Sequence, residues 1–179
     1  GVWLGHSLHA AVIAVPVGAW TATAVFDLMG EERAADLCLG LGLIGAAGAA
    51  ITGAAQWQDV TNQEQPRRLG ALHALMNYTA TGLMAGSWLM RRQGRRQEGI
   101  VLSTLGITVN LASAWLGGEL AYDLGIGVDH AAFESPPSDW TDVAALDDLN
   151  DGKPLRVEAE GTPVMLLRQG EEMRAIGAT

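Results

Sequence analysis

The sequence predicts an all-α membrane bundle of four transmembrane helices, followed by a small antiparallel β segment. Three observations carry that prediction. Nearly half of the 179 residues are apolar while only 17% are charged, against the roughly 25% usual in soluble domains. Four long stretches are almost free of charge until their ends. The acids gather late in the chain, with 13 of the 20 lying from Glu119 onward. The net charge of −9 therefore belongs mostly to the tail, where residues 129–179 hold 11 acids against 4 bases. No basic face remains to neutralise phosphates, so nucleic acid is excluded as a partner and the lipid bilayer takes its place.

A bilayer core about 30 Å thick needs roughly 20 helical residues to cross it. Leu8–Leu28, Ala35–Gln56, Leu69–Met90 and Ile100–Leu124 meet that length. Short polar stretches separate them: Gly30-Glu31-Glu32-Arg33, then Gln58 through Arg68, then Arg91 through Arg96. Gly45, Ala49 and Gly53 recur every fourth residue in the second span, and Gly82 and Gly86 form a GxxxG in the third. Such stripes let helix backbones approach closely in lipid, or merely fill an apolar helix. Cys38, the lone cysteine, makes no internal disulfide and reads as a small buried hydrophobe. The start at Gly1 and the stop at Thr179 both read as truncations, and the first apolar run lacks the basic leader and cleavage site of a secretory signal.

Basic residues in short loops set orientation. The first and third loops carry Arg33, Arg91, Arg92, Arg95 and Arg96, while the opposite side has Arg67 and Arg68. The expectation is a multi-pass protein of the bacterial cytoplasmic membrane, with loops one and three in the cytoplasm and both chain ends outside.

An up-down topology brings the start of spans one and three and the end of spans two and four to one membrane face. His6, His9, Gln56, Asp59, His73, Asn77, Glu119, Tyr122 and Asp123 fall there. Polar groups within spans are functional-site hypotheses by default. His9 and His73 lie on helices running in the same direction, diagonally across a bundle. They are candidate axial ligands for a haem b, or part of a quinone pocket in which imidazole exchanges protons with ring oxygens. A divalent metal on His6, His9 and a carboxylate is a third option. Mutual hydrogen bonding with interfacial water is the plain alternative. No C-x-x-C-H occurs, so covalent c-type haem attachment is excluded, and no residue is singled out as catalytic.

Gly5-His6-Ser7-Leu8-His9-Ala10, Pro16-Val17-Gly18-Ala19-Trp20, Phe26-Asp27, Leu116-Gly117-Gly118-Glu119 and Gly125-Ile126-Gly127-Val128 together resemble a bacterial family of four-helix membrane proteins of unknown function. The resemblance covers about residues 3–130. Ser7 and Ala10 stand where that family more often has proline. It implies topology rather than mechanism.

Beyond residue 128 the character changes. Residues 129–138 read as a linker around Pro136-Pro137, with His130 a solvated linker residue, and 139–179 as a partial domain. An ordered unit starts at Asp139–Leu146, and three strands are predicted: Pro154–Ala159, Pro163–Arg168 and Glu171–Ile176. Glu160-Gly161-Thr162 and Gln169-Gly170 are the hairpin signals between them. A meander this small buries little alone and implies further strands. Trp140-Thr141-Asp142-Val143, Asp151-Gly152-Lys153-Pro154, Gly161-Thr162-Pro163-Val164 and Met173 to Ala178 resemble the opening of a Rieske-type ferredoxin domain. The resemblance implies a 2Fe–2S cluster whose ligands would begin just after Thr179, since none occurs in residues 1–179. Two functions follow as expectations. One is a membrane-anchored electron-transfer protein, its Rieske-like domain mounted on a bundle with a haem or quinone site. The other is a non-catalytic anchor or accessory subunit of a larger membrane redox complex. Partner subunits or a homo-oligomer fit either. A transporter is weakly supported, for no span carries a charge at mid-depth.

Overall fold

The computed structural model describes residues 7–58, 64–128 and 137–178. The chain divides into two compact units, Gly1–Val128 and Asp129–Thr179.

The first unit is helical. Short helix α1 (Leu8–Val12) runs almost straight into α2 (Ala14–Met29), with Ile13 still in the helical region between them. The interruption falls where the Pro16 ring opposes the carbonyl of Val12, the bond that proline cannot make. Helices α3 (Glu32–Trp57), α4 (Glu64–Arg92) and α5 (Arg96–Gly118) follow, and a π-helical turn, Glu119–Asp123, extends α5. Gly30 ends α2 and Gly94 separates α4 from α5, both at positive φ (75° and 77°), the left-handed conformation that glycine adopts without strain. Helices α3 and α4 are longer than their predicted spans, and α5 starts earlier, because the charged residues Glu32, Arg91, Arg92 and Arg96 continue the helix.

Three of these rods, Leu8–Met29, Glu32–Trp57 and Arg96–Asp123, are long and apolar enough to cross a membrane. Helix α4 has the length but falls short in hydropathy, since its middle carries His73, Asn77, Thr79, Thr81 and Ser87. Leu41, Ile44 and Ile51 of α3, Leu75 of α4, and Leu105 and Trp115 of α5 face outward, as expected of a lipid-facing surface.

Two helical hairpins make up the bundle. Helix α2 packs on α3 and α4 on α5, and the hairpins join through α3–α4 and α2–α5. Trp20, Leu39 and Met84 form the buried centre, with Leu43, Ala46, Trp88 and Ile107 against it. Close approach depends on glycines. A side chain at Gly42 would collide with the Trp20 indole, and a Cβ at Gly45 would stand 2.7 Å from Val15. The second-span stripe therefore seats α2. The GxxxG of the third span is only half engaged: Gly86 faces Leu102, while Gly82 meets nothing. Cys38 is half-buried on α3, less enclosed than expected.

The second unit holds a 3-10 turn, Leu146–Asp148, and an antiparallel meander of β1 (Leu155–Ala159), β2 (Thr162–Gln169) and β3 (Glu172–Gly177) in the order β1-β2-β3. Residues 139–145, expected to open an ordered unit, form no regular element. The register pairs Val157 with Val164 and Leu166 with Ala175. Glu160 and Gly161 both take positive φ (49° and 83°), the type I′ geometry that matches strand twist. Burial is slight: Leu149 and Ala159 are the buried apolar residues of the described part, and every residue of β3 is exposed.

The glycine contacts give a direct contrast. Gly42→Leu should destabilise the bundle by about 1–3 kcal/mol through overpacking against Trp20. Gly82→Ala, with open space around it, should be neutral or stabilising by about 0.5–1 kcal/mol, as alanine replaces glycine within a helix. Thermal unfolding in detergent would rank the two, and equal losses would contradict this packing.

Candidate functional site

Polar side chains concentrate at the two ends of the bundle. At the end holding the α2–α3 and α4–α5 connections, Arg91 is buried, its side chain 2% exposed, and so is Asp27 at 7%. The guanidinium grips Asp27 with two bonds, Nη1 to Oδ1 at 2.8 Å and Nη2 to Oδ2 at 2.5 Å. This two-pronged geometry is the strongest form of arginine–carboxylate pairing. Nη1 also reaches Asp36 Oδ1 at 3.2 Å, Nε donates to Ser87 Oγ at 3.1 Å and Nη2 to Ser103 Oγ at 3.1 Å. Arg96 repeats the pattern on Asp27 (2.9 Å) and Asp36 (3.2 Å), with Glu32 at 3.4 Å. Both aspartates come from the first hairpin and both arginines from the second. The network thus ties α2, α3, α4 and α5 together. It needs Gly99, whose Cβ would stand 2.7 Å from the Arg91 side chain.

The sequence assigns Arg91 and Arg96 to the third loop, whereas the structure places Arg91 in α4 and Arg96 at the start of α5. Helix α4 continues through Arg92, so Arg91 completes an inward row of half-buried His73 and Asn77 and buried Ala80, Met84 and Ser87. The 4-3-4-3-4 spacing of that row is the signal in the sequence. A matching row on α5 runs Gly99, Ser103, Gly106, Asn110, Ser113, Gly117, giving two complementary seams of heptad type. Arg92, one position on, turns outward and stacks over Trp88 at 4.7 Å.

At the opposite end each hairpin is tied within itself. Thr52 Oγ1 donates to Gly48 O at 2.9 Å, so its oxygen accepts from His9 Nδ1 at 3.1 Å. Ser7 donates to Gln56 at 3.0 Å. His73 Nδ1 donates to the Ser113 carbonyl at 2.8 Å, and His73 Nε2 accepts from Asn77 Nδ2 at 3.1 Å. Asn110 Nδ2 in turn donates to Asn77 Oδ1 at 3.3 Å. Each imidazole lies over a glycine of the helix beside it, His9 on Gly53 and His73 on Gly117. His6, Asp59 and His130 lie outside the described residues. Tyr122 is 89% exposed and faces away from the others.

These contacts bear on the implied cofactors. Both ring nitrogens of His73 are engaged, leaving no lone pair for iron, so a haem between His9 and His73 does not fit this packing. Among the described residues no group of three His, Cys, Asp or Glu is placed to hold a metal ion. Cys38 stands alone on α3, so the described residues do not fit a 2Fe–2S cluster either.

Breaking the buried pair should be costly. Arg91→Met strips the buried Asp27 of its two-pronged partner and leaves it paired with Arg96, and should destabilise by up to about 3–5 kcal/mol. Arg92→Ala removes one cation–π contact, about 0.5–1 kcal/mol. Thermal unfolding of the purified variants would test the ranking, and a mild Arg91→Met would show that the pair is solvated.

Compared with known proteins, residues 5–130 match the family described as Predicted membrane protein (DUF2231). No curated protein and no solved structure matches the chain.

Proposed function

Because the chain belongs to the DUF2231 family of predicted membrane proteins, we propose that its bundle is a membrane anchor and scaffold for the C-terminal unit, working as an accessory subunit of a membrane redox complex. One observation carries this reading. The charged and imidazole groups inside the bundle are engaged in joining helix to helix, while the apolar side chains point outward. In this reading α4 crosses the bilayer with the other three, its polar row shielded against α5. The membrane is the bacterial cytoplasmic one. The Arg91 end faces the cytoplasm, where Arg33, Arg92 and Arg95 remain outward-facing, and the C-terminal unit lies outside.

Cysteine labelling in a Cys38→Ser background tests it. A membrane-impermeant maleimide should label Trp140→Cys in intact spheroplasts, and Gln93→Cys only after permeabilisation. The inverse pattern would overturn the orientation, and recovery of the protein in the carbonate-washed soluble fraction would overturn the anchor itself.

Electron transfer by the C-terminal unit is the second reading. What favours it is the resemblance of residues 139–179 to the opening of a Rieske-type domain, together with the three-stranded meander that this stretch forms. Protein purified from its native membranes and reduced with dithionite should then show a Rieske-type EPR signal. A silent spectrum with stoichiometric protein leaves the anchor reading alone.

A further inference from the structure

The outward side of α4 carries a second seam, opposite the one that meets α5. The inner row runs from His73 to Arg91, and at about 100° per residue Gly82 lies about half a turn round from it. Ala71, Leu75, Tyr78, Gly82, Ala85 and Leu89 follow one another at the same 4-3-4-3-4 spacing. All but the half-buried Ala85 are exposed, and a Cβ added at Gly82 meets nothing among the described residues. A lane of period 3.5 with small residues near its middle is the pattern by which two helices pack along their length in lipid.

Tyr78 makes lipid alone a poor cover for this lane. It is the middle residue of Glu64–Arg92 and is 63% exposed. With α4 across the bilayer, its phenol stands near the centre of a core about 30 Å thick, too deep to reach the headgroups. The outward threonines Thr21, Thr79, Thr104 and Thr108 each turn their hydroxyl onto the carbonyl one turn back, at 2.8–2.9 Å. A hydroxyl at the tip of a ring cannot do this, and that of Tyr78 has no partner among the described residues. Acyl chains offer neither donor nor acceptor, so in lipid it carries the desolvation penalty of an unmade bond.

We propose that this face of α4 is the contact for a second copy of the chain, inserted in the same direction and related by a twofold axis along the membrane normal. The proposal rests on the anchor reading, in which α4 crosses the bilayer. Two copies inserted alike bring Tyr78 to one depth, where a residue beside the axis faces itself. A phenol both donates and accepts, so one Tyr78 hydroxyl donates to the other. Gly82 and Ala85, just beyond, let the backbones come close. The charges agree with this pairing. Towards the start of α4 the lane continues through Arg68 and Glu64, an exposed base and acid four residues apart, so each copy offers the other an opposite charge. At the far end Arg92 stacks over Trp88, which keeps the two cations off the axis.

Oxidative cross-linking of the full chain in its native membranes, in a Cys38→Ser background, tests the contact. Leu75→Cys lies on the lane and Leu105→Cys on the outward face of α5, both at exposed positions. Copper phenanthroline should convert Leu75→Cys to a species of doubled mass and leave Leu105→Cys monomeric. Adding Tyr78→Phe should lower the cross-linked fraction about three-fold, the effect of one hydrogen bond between helices in lipid. Adding Gly82→Leu should abolish it without lowering the thermal stability of the purified chain, since nothing inside the bundle faces residue 82. Absence of the doubled species at Leu75→Cys overturns the proposal, as does equal cross-linking at Leu105→Cys. A yield indifferent to both Tyr78→Phe and Gly82→Leu overturns it too. So does a product of any other mass, which marks a different subunit on this face. Failure of the anchor reading is seen separately, as protein in the carbonate-washed soluble fraction.

Discussion

The pairing of Arg91 with Asp27 is the contact on which the rest of the bundle depends. Two charges are almost wholly removed from water, and such a pair is tolerated only when geometry is good and the remaining donors are satisfied. Both conditions hold. The guanidinium forks onto one carboxylate, and its other donors go to Asp36, Ser87 and Ser103. The requirement propagates along the chain. Residue 99 must be glycine to let the arginine stem pass. Ser87 is in turn held by donating to the Gly99 carbonyl at 2.7 Å. Arg96 has to stand one short turn further on, so that Asp27 and Asp36 are met by two cations and not one.

That constraint also explains why α4 is the least apolar of the four rods. Its inner row is not a greasy stripe but an alternation of small, polar and charged groups, each matched across the seam. Met84 meets Gly106, Asn77 meets Asn110, His73 meets Ser113, and Arg91 meets Ser103. A hydropathy average lowers the score of such a helix although its lipid-facing residues, Leu75 and Leu89 among them, remain apolar. The polarity lies inward, where helices in lipid gain from small residues and hydrogen bonds.

Much of this was legible in the sequence, and the exceptions share a cause. The order of the four long helices and the two strand hairpins are local properties, and they read correctly from local rules. The π-helical turn at Glu119–Asp123 and the role of Arg91 are not local. An arginine beside Arg92, Arg95 and Arg96 reads as one of a solvated group, because neighbours in sequence give no sign of which one points inward. The rotation of the helix decides it. Residues 91 and 92 differ by about 100° around a 3.6-residue helix, enough to send one to Asp27 and the other to Trp88. The heptad of small and polar residues running from His73 to Arg91 contains that information, but only when followed past the last apolar residue. The histidines were found by type, yet Thr52 and Ser113 meet them from other helices, and the bond from Asn77, one turn along α4, to His73 Nε2 decides what the ring is able to bind.

The two ends of the bundle consequently differ in kind. Where the arginines sit, hydrogen bonds and ion pairs cross from one hairpin to the other. Where the histidines sit, the described helices make their hydrogen bonds inside each hairpin, His9 to Thr52 and His73 to Ser113. The hairpins meet there by packing, as Trp57 does over Gly70. Dispersion contacts are individually weak and break without leaving an unsatisfied group, whereas a buried ion pair does not. The hairpins are therefore held together most firmly at the arginine end and most loosely at the histidine end.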